Sequence, residues 1–346
     1  MATTQAVQAQ IACNLCGARE ATILSTRSRS GAPLRTVCCT GCGLVWSDPR
    51  PHEVRQFYES DYRLAYKDTF EPRPKHVLRA GRVALSRLER IAHLMRPGMK
   101  ILDIGAGGGE FACLLASQGH QVRGIEPNRG YAAYARAQYG LDIVDGFVGD
   151  VALQEAQWDL ITVWHVLEHT EDPGAVLGQL RRALAPGGML VVEVPNVEAT
   201  CQSPRSSFHE AHLYNFNRDT LHALAASQGL GVRGGGLSPD GGNLTAIFCA
   251  EGSAASACAG LPGNHDRVAA IVQAHTLWRY LLSPATWARS WRRLSGQWQE
   301  RRWLAGQGVG RGAVKGRDLL QRLYRCGAGC LALAAVLLEA EALAAA

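Results

Sequence analysis

The sequence predicts an α/β fold built on a parallel sheet, with a small cysteine-rich module before it and a helical extension after it. Three observations carry that expectation. A short apolar run, Ile101-Leu102-Asp103-Ile104, ends in the glycine-rich turn Gly105-Ala106-Gly107-Gly108-Gly109 and opens into a helix start at Glu110-Phe111. Strand-like and helix-like segments then alternate to about residue 250, as a parallel sheet with crossover helices requires. Two C-x-x-C-G knuckles, Cys13-Asn14-Leu15-Cys16-Gly17 and Cys39-Thr40-Gly41-Cys42-Gly43, precede both.

With 346 residues, 47% of them hydrophobic, the chain has room for two or three domains and a sizeable core. Met1 to Gln10 is uncharged and lacks the basic and apolar regions of a signal peptide. The longest apolar run, near Cys326 to Leu338, is short for a membrane span. The expectation is a cytoplasmic protein, with membrane association through the C-terminal helices as the alternative. In that compartment eleven cysteines, several in paired spacing, favour metal over disulfides.

In each knuckle the two sulfurs can reach one ion, and the glycine that follows permits the tight turn. Cys13, Cys16, Cys39 and Cys42 together supply four thiolates for a tetrahedral zinc, a closed and therefore structural site. The gap between the pairs is slightly longer than usual, which a hairpin absorbs. Cys38 is a spare neighbour that competes for ligand assignment. This zinc ribbon is placed at residues 11–50. Residues 51–75, rich in proline and aromatics (Phe57, Tyr58, Tyr62, Tyr66, Phe70), read as a linker.

Apolar residues at Leu78, Leu85, Leu88, Ile91 and Met95 recur at helical spacing, so a helix is expected from His76 to Met95, closed by Pro97-Gly98. The glycine-rich unit follows. A dinucleotide fingerprint, G-x-G-x-x-G, fails at Glu110, where the third glycine belongs. A carboxylate there suits a helix N-terminus and repels a pyrophosphate. The pattern present is D-x-G-x-G-x-G. Helix 110–118 stops at Gly119, and a strand from Gln121 to Ile125 ends in Glu126-Pro127-Asn128. Glu126 lies 23 residues after Asp103, where an acid accepts hydrogen bonds from both ribose hydroxyls. Helix 129–139 ends at Gly140.

Gly149-Asp150-Val151 precedes a strand from Trp158 to Val163, which runs into Trp164-His165-Val166-Leu167-Glu168-His169. A helix closing over Arg181 to Leu184, a turn at Pro186-Gly187-Gly188 and a strand from Met189 to Val194 come next. After a helix over 219–227, segments 230–236 and 244–250 form an antiparallel pair. The first domain boundary of the α/β unit is thus placed at 76 and the second at 252.

Residues 265–346 change character. From His265 to Arg325 twelve Lys/Arg stand against three Asp/Glu, although the whole chain carries only +6. Five of the eight tryptophans lie between 278 and 303. Trp287, Trp291, Leu294 and Trp298 fall on one helical face, with Arg289, Arg292 and Arg293 largely off it. The plain expectation is a stripe packed on the α/β domain or on a twin subunit in a homodimer. The alternatives are an interfacial helix on an anionic membrane and an RNA-contacting face. The Ala/Leu-rich tail, 331–346, is expected to be helical.

Taken in order, these motifs resemble the class I S-adenosylmethionine-dependent methyltransferases, specifically the group with an N-terminal zinc ribbon that includes sugar methyltransferases. The residues that carry the resemblance are the two knuckles, Leu44-Val45-Trp46-Ser47-Asp48-Pro49, Asp103 to Glu110, Glu126-Pro127, His165 to His169, Leu184 to Gly188, Pro195-Asn196 and His212-Leu213-Tyr214-Asn215-Phe216. The resemblance covers roughly residues 11–250. It implies a Rossmann-like seven-stranded sheet with S-adenosylmethionine at the carboxyl ends of its strands. It implies that Gly105, Ala106 and Gly107 approach the methionine and ribose parts, with Asp103, Gly109 and Pro127 in the same cofactor-binding set. Glu126 would hold the ribose, Asp150 the adenine amino group with Val151 beside it, and His165 would line the pocket near the sulfonium.

Methyl transfer needs an aligned nucleophile and an excluded solvent. A hydroxyl nucleophile also needs a base, and a histidine suits that. The candidates are His212 first, then His169, with His209 beside them. Sugar C-methyltransferases of this group carry a Tyr-His-Glu-His run where this chain reads Ser207-Phe208-His209-Glu210-Ala211-His212. The departure favours O-methylation of a sugar hydroxyl, on a small-molecule or glycan acceptor in polysaccharide biosynthesis. An RNA methyltransferase using the zinc ribbon and basic C-terminus is one alternative. The Asn/Asp-Pro-Pro-aromatic loop of base amino-methylation is missing, however, since its position reads Trp164-His165-Val166-Leu167. A non-catalytic cofactor-binding scaffold is another, against which stand Asp103, Gly105, Gly107 and Glu126.

Overall fold

The computed structural model describes residues 5–50, 72–250, 260–306 and 316–325. Most of the expected linker, the apolar run from 326 and the tail 331–346 lie outside the described residues. The chain divides into two compact units, Met1–Phe57 with Val148–Arg292, and Tyr58–Phe147 with Arg293–Ala346.

In the first unit, β1 (Ala6–Gln8), β2 (Glu20–Arg27), β3 (Pro33–Cys39) and β4 (Val45–Ser47) form an antiparallel sheet, which β10 (Tyr214–Asn215) completes in the order β1-β2-β3-β4-β10. Each knuckle closes on a backbone hydrogen bond, Gly17 N to Cys13 O at 2.8 Å and Gly43 N to Cys39 O at 2.9 Å. Gly43 is left-handed (φ 75°), and a Cβ on it would lie 2.9 Å from the Asn264 carbonyl carbon, so a side chain is excluded twice over. Asn264 in turn donates from Nδ2 to Cys42 O at 2.8 Å and accepts from Asn217 Nδ2 at 2.8 Å. Asp48 is fully buried and accepts from Gln10 N (3.1 Å), Ile11 N (2.9 Å) and Arg35 Nη2 (2.6 Å). That carboxylate ties the entry of the cysteine module to its exit.

The α/β expectation is met. Further strands are β5 (Lys100–Ile104), β6 (Gln121–Glu126), β7 (Asp142–Asp145), β8 (Trp158–Trp164), β9 (Leu184–Pro195), β11 (Leu230–Leu237) and β12 (Asn243–Ala250). They form a seven-stranded mixed sheet in the order β11-β12-β9-β8-β5-β6-β7. β5–β6, β6–β7 and β8–β9 are parallel, and β12 runs antiparallel to both β9 and β11. From Leu160 to Trp164 every side chain of β8 is buried, as a strand covered on both faces demands.

The helices are α1 (Pro74–Ile91), α2 (Glu110–Ser117), α3 (Arg129–Tyr139), α4 (Pro173–Ala183), α5 (Arg218–Ser227), α6 (Asn264–Ala274), α7 (Leu277–Leu282) and α8 (Pro284–Gly306). Their starts follow the sequence. Asn128 caps α3 by accepting from Tyr131 N, Asp172 caps α4 through Ala175 N, and Asn217 with Thr220 forms a capping box on α5. In the second unit Gly81 of α1 faces Leu320 and Leu323 of helix 316–325, and Tyr324 donates to the Glu110 carbonyl at 2.7 Å.

Three expectations need correction. The first helix does not reach Met95: it ends at Ile91, a 3-10 turn covers Ala92–Leu94, and Met95 is extended (φ −78°, ψ 137°). Pro97 lacks an N–H and disfavours helical backbone at Arg96, so no helix continues through this stretch. Pro186-Gly187-Gly188 is a bulge inside the continuous β9, between the pairs Trp158–Leu184 and Leu160–Met189. A Cβ on Gly188 would sit 2.6 Å from Trp158 O, so the close approach of β8 selects glycine. The tryptophan stripe of α8 does not pack inward: Trp287, Trp291, Leu294 and Trp298 are 61–73% exposed. Helical periodicity marks an apolar face but says nothing about what covers it.

Replacing Asp48 by alanine should cost about 3 kcal/mol, because it strands Arg35 and two backbone N–H groups. The check is the urea midpoint of the wild type and Asp48→Ala, and an unchanged midpoint would contradict the assigned role.

Candidate functional site

In the second unit, β5 delivers buried Asp103 to the start of the glycine-rich loop. Gly105 (φ 72°), Gly107 (φ 59°) and Gly109 (φ 84°) all take left-handed backbone. Gly105 N and Ala106 N donate to Ile125 O at 2.8 and 3.0 Å, which folds the loop over the end of β6. Buried Glu126 closes the arrangement. Its Oε2 accepts from Gly107 N at 2.7 Å and its Oε1 from Asn128 N at 3.0 Å. Gly109 serves packing: a Cβ there would lie 2.8 Å from Ala135 Cβ and 2.9 Å from Leu141. Glu110 is the first residue of α2, its carboxylate folded back over Gly108. The loop therefore presents bare backbone beside a fixed carboxylate.

In the first unit, Asp150 is exposed on the turn 148–151, and Val151 O accepts from Gln179 Nε2 at 2.8 Å. The four knuckle sulfurs converge. Cys13 and Cys42 Sγ are 3.4 Å apart, as are Cys16 and Cys39, and all four lie within 4.8 Å of one another. These distances far exceed a disulfide. They approximate the sulfur–sulfur edge of a tetrahedron with metal–sulfur bonds of ~2.3 Å, about 3.8 Å. Thiol hydrogen bonds from Cys13 and Cys42 hold Cys39 well below the usual thiol range. The same crowding, with burial, pushes Cys13, Cys16 and Cys42 up. Four thiol sulfurs converging this closely fit a cation that would stabilise their thiolates. Cys38 is excluded from this set. It is buried in an apolar cluster with Leu34, Val45, Phe208 and Val268, and burial pushes it up to about 12.

Also in the first unit, β8 ends in His165 at φ 58°, an uncommon backbone for a residue with a Cβ. Two buried acids flank its ring: Nδ1 is 3.4 Å from Glu168 Oε1 and Nε2 is 3.3 Å from Glu193 Oε1. Burial opposes a charge on His165, but Glu168 and Glu193 outweigh it and raise the imidazole to about 9. Glu168 is 1% exposed, and neither carboxylate oxygen has a close hydrogen-bond partner among the described residues. Burial would protonate it, yet His169 and His165 hold it down to about 2. His169 Nδ1 faces Ala211 O at 2.7 Å, and its Nε2 is 3.7 Å from Glu168. His212 stands edge-on to His169 (4.8 Å between centroids) and stacks on His209 (5.0 Å). His209 Nδ1 accepts from Ala211 N at 2.9 Å, so it is unprotonated at that atom. Burial, with His169 nearby, pushes His212 down to about 3. Burial and then Arg29 push His209 down to about 4.

The structure thus brings His165, His169, His209 and His212 into one cluster around Glu168. The donors of Glu168, His169 and His212 lie within 4.8 Å of one another, close enough to share a proton or a cation. Sequence reasoning gave no role to Glu168 or Glu193. For Glu193 the available signal was an acid inside the apolar strand Leu190 to Val194. It is 2% exposed, and its Oε2 accepts from Thr245 at 2.9 Å.

The charges set a pH dependence. His165 lies above its ordinary value of 6.5, so its stabilisation is complete below about 6.5 and is lost as pH rises through 9. Glu168 lies below 4.5, so its contribution holds above that and fades as pH falls towards 2. His212 and His209 resist protonation, so stability also falls as pH drops below 6.5. In a proton NMR titration His165 should turn over near 9, and lower in Glu193→Gln, while His212 stays neutral at pH 6. A His212 midpoint at the ordinary value would contradict the burial argument.

Residues 76–233 match the family described as "Methyltransferase domain". A Mycolicibacterium smegmatis protein named "Probable S-adenosylmethionine-dependent methyltransferase" is 28% identical over 145 residues, 42% of this chain and 56% of that protein. A Paraburkholderia xenovorans protein named "Ubiquinone biosynthesis O-methyltransferase" is 30% identical over 152 residues, 42% of this chain and 63% of that protein. The chain therefore spans less than two thirds of the length of these relatives. A solved structure, a Burkholderia thailandensis 1,6-didemethyltoxoflavin-N1-methyltransferase, is 22% identical, covers 62% of this chain and 98% of its own, and has a TM-score of 0.46. Glycine loop, strand-end acid and seven-stranded sheet agree with that match, and residues 76–233 are similar to S-adenosylmethionine-dependent methyltransferases.

Proposed function

We propose that the protein transfers a methyl group from S-adenosylmethionine to a hydroxyl of a small-molecule or glycan acceptor. The observation that carries this reading is the backbone loop Gly105–Gly107 held against the Glu126 carboxylate. No phosphate is expected there, because Glu110 occupies the helix start. In this reading Asp103, Gly105, Ala106, Gly107, Gly109, Glu126 and Pro127 form the cofactor cradle, with Asp150 and Val151 at the adenine and His165 near the sulfonium. The bound cofactor supplies an electrophilic methyl carbon. The chain's own work is to align the acceptor, exclude water and take up a proton.

His212 is the proposed base, with His169 second. His212 is neutral across the neutral pH range, so its ring is available to accept. Alone it is a weak base. The Glu168 carboxylate lies close enough to stabilise the imidazolium as the acceptor proton arrives, and His209 stacks behind the ring. A sugar hydroxyl is the first acceptor reading. A phenolic hydroxyl is the second, favoured by the ubiquinone-type relative.

The proposed domain division is a zinc ribbon at 11–50, a linker at 51–75, the methyltransferase domain at 76–252 and a helical extension at 265–346. Zinc at Cys13, Cys16, Cys39 and Cys42 is structural in this reading, since four protein ligands leave no open position.

Two measurements test these assignments. A labelled-methyl assay should find transfer to nucleotide sugars, cell-envelope extracts or phenolic acceptors. His212→Ala should lower kcat by roughly a hundredfold or more with cofactor affinity kept, whereas unchanged kcat would remove His212 as base. Elemental analysis should give about one zinc per chain, lost together with thermal stability in Cys39→Ser. A metal-free wild type of equal stability would contradict the ribbon.

A further inference from the structure

Of the eleven exposed large hydrophobics among the described residues, eight lie between Leu277 and Trp298, on α7 and α8. Trp278 (75%), Leu282 (78%) and Trp291 (73%) are the most exposed. Residues 277–306 hold six arginines and a single acid, Glu300. That acid is already occupied: it is buried and pairs with Arg79 at 2.7 Å. Indole and aliphatic side chains thus lie on a segment where Arg279, Arg301 and Arg302 are exposed and Arg289 pairs with Asp240. No described helix is long and apolar enough to cross a membrane, so contact with lipid would be in the plane of the interface.

We infer that α7 and the tryptophan face of α8 form a docking surface for an anionic lipid bilayer. Charge complementarity selects this occupant. A second copy using the same face would press arginines against arginines, because a two-fold contact is self-complementary. A nucleic acid would meet the arginines but leave Leu281, Leu282 and Leu294 without apolar partners. An anionic bilayer satisfies both components: headgroups pair with the arginines, and indole rings settle at the boundary between headgroup and acyl chain.

Within the first unit, α7 and the start of α8 are tied to the segment 201–206. Arg289 Nη1 donates to Cys201 O at 2.6 Å, and its Nη2 is 3.7 Å from Asp240. His275 Nε2 lies 2.8 Å from Gln202 O. The segment 201–206 leads directly to His209 and His212. Docking would bring that segment to the membrane, where an acceptor with a lipid anchor is found. The inference does not depend on the acceptor, because binding alone reads it.

The test is flotation of the full chain with vesicles of phosphatidylcholine, with and without phosphatidylglycerol. The protein should float with the anionic vesicles, less so at high salt, and brominated lipid should quench its tryptophan emission. Trp278→Ser with Trp291→Ser should weaken vesicle affinity by about tenfold, with circular dichroism and calorimetric affinity for S-adenosylmethionine unchanged. Failure to float with anionic vesicles would overturn the inference, as would flotation indifferent to the two substitutions. A dimer that the same substitutions dissolve, or salt-sensitive RNA binding that they abolish, would assign the face to a second copy or to RNA instead.

Discussion

One carboxylate organises the glycine-rich loop of this protein. Glu126 accepts from Gly107 N and Asn128 N, and so fixes the glycine-rich loop and the start of α3 with a single side chain. A buried carboxylate is costly unless hydrogen-bonded, and two backbone donors offset that cost. The left-handed glycines exist to let the loop reach it. Ile125 O completes the closure from the same strand end, by accepting from Gly105 N and Ala106 N. Loss of the carboxylate would leave the loop backbone without its outer support.

The second organising group is the buried Glu168, and its logic is the reverse. Among the described residues no backbone N–H reaches its oxygens, and the histidines around it, His169 and His165, supply the compensation. His165, between Glu168 and Glu193, carries the charge, while His212 and His209 remain neutral. One cluster thus holds a cation, an anion and two neutral imidazoles at the same pH. In the proposed reaction that separation would leave His212 neutral and able to accept a proton. The cysteine module abuts this cluster through its own strands. β10 pairs with β4, Ser47 N donates to Leu213 O at 3.0 Å, and Leu213 N donates to Glu168 O at 2.8 Å. A structural metal in the knuckles would stiffen the segment that carries His209 and His212.

Much of this was legible in the sequence because local rules governed it. The glycine-rich turn and the apolar strands ending in Asp103 and Glu126 each announce themselves at short range. So do the paired cysteines. The remainder depends on contacts between distant residues. Cys38 looked like a competing ligand until β3 turned it towards Leu34 and Phe208. Glu193 and Glu168 acquire a role only when β9 is laid beside β8. The two-residue strand β10 is too short to read. The α8 face was legible as a face, but its exposure was not, because periodicity carries no information about a partner.

The central claim is that Glu126 and the glycine loop hold S-adenosylmethionine. Isothermal titration of the full chain with this cofactor, compared with Glu126→Gln, tests it most directly. The account predicts one site per chain and a loss of roughly tenfold or more in affinity for the variant, about 1.4 kcal/mol or more, with the fold retained. Absence of binding to the wild type, or equal affinity in the variant, would contradict it.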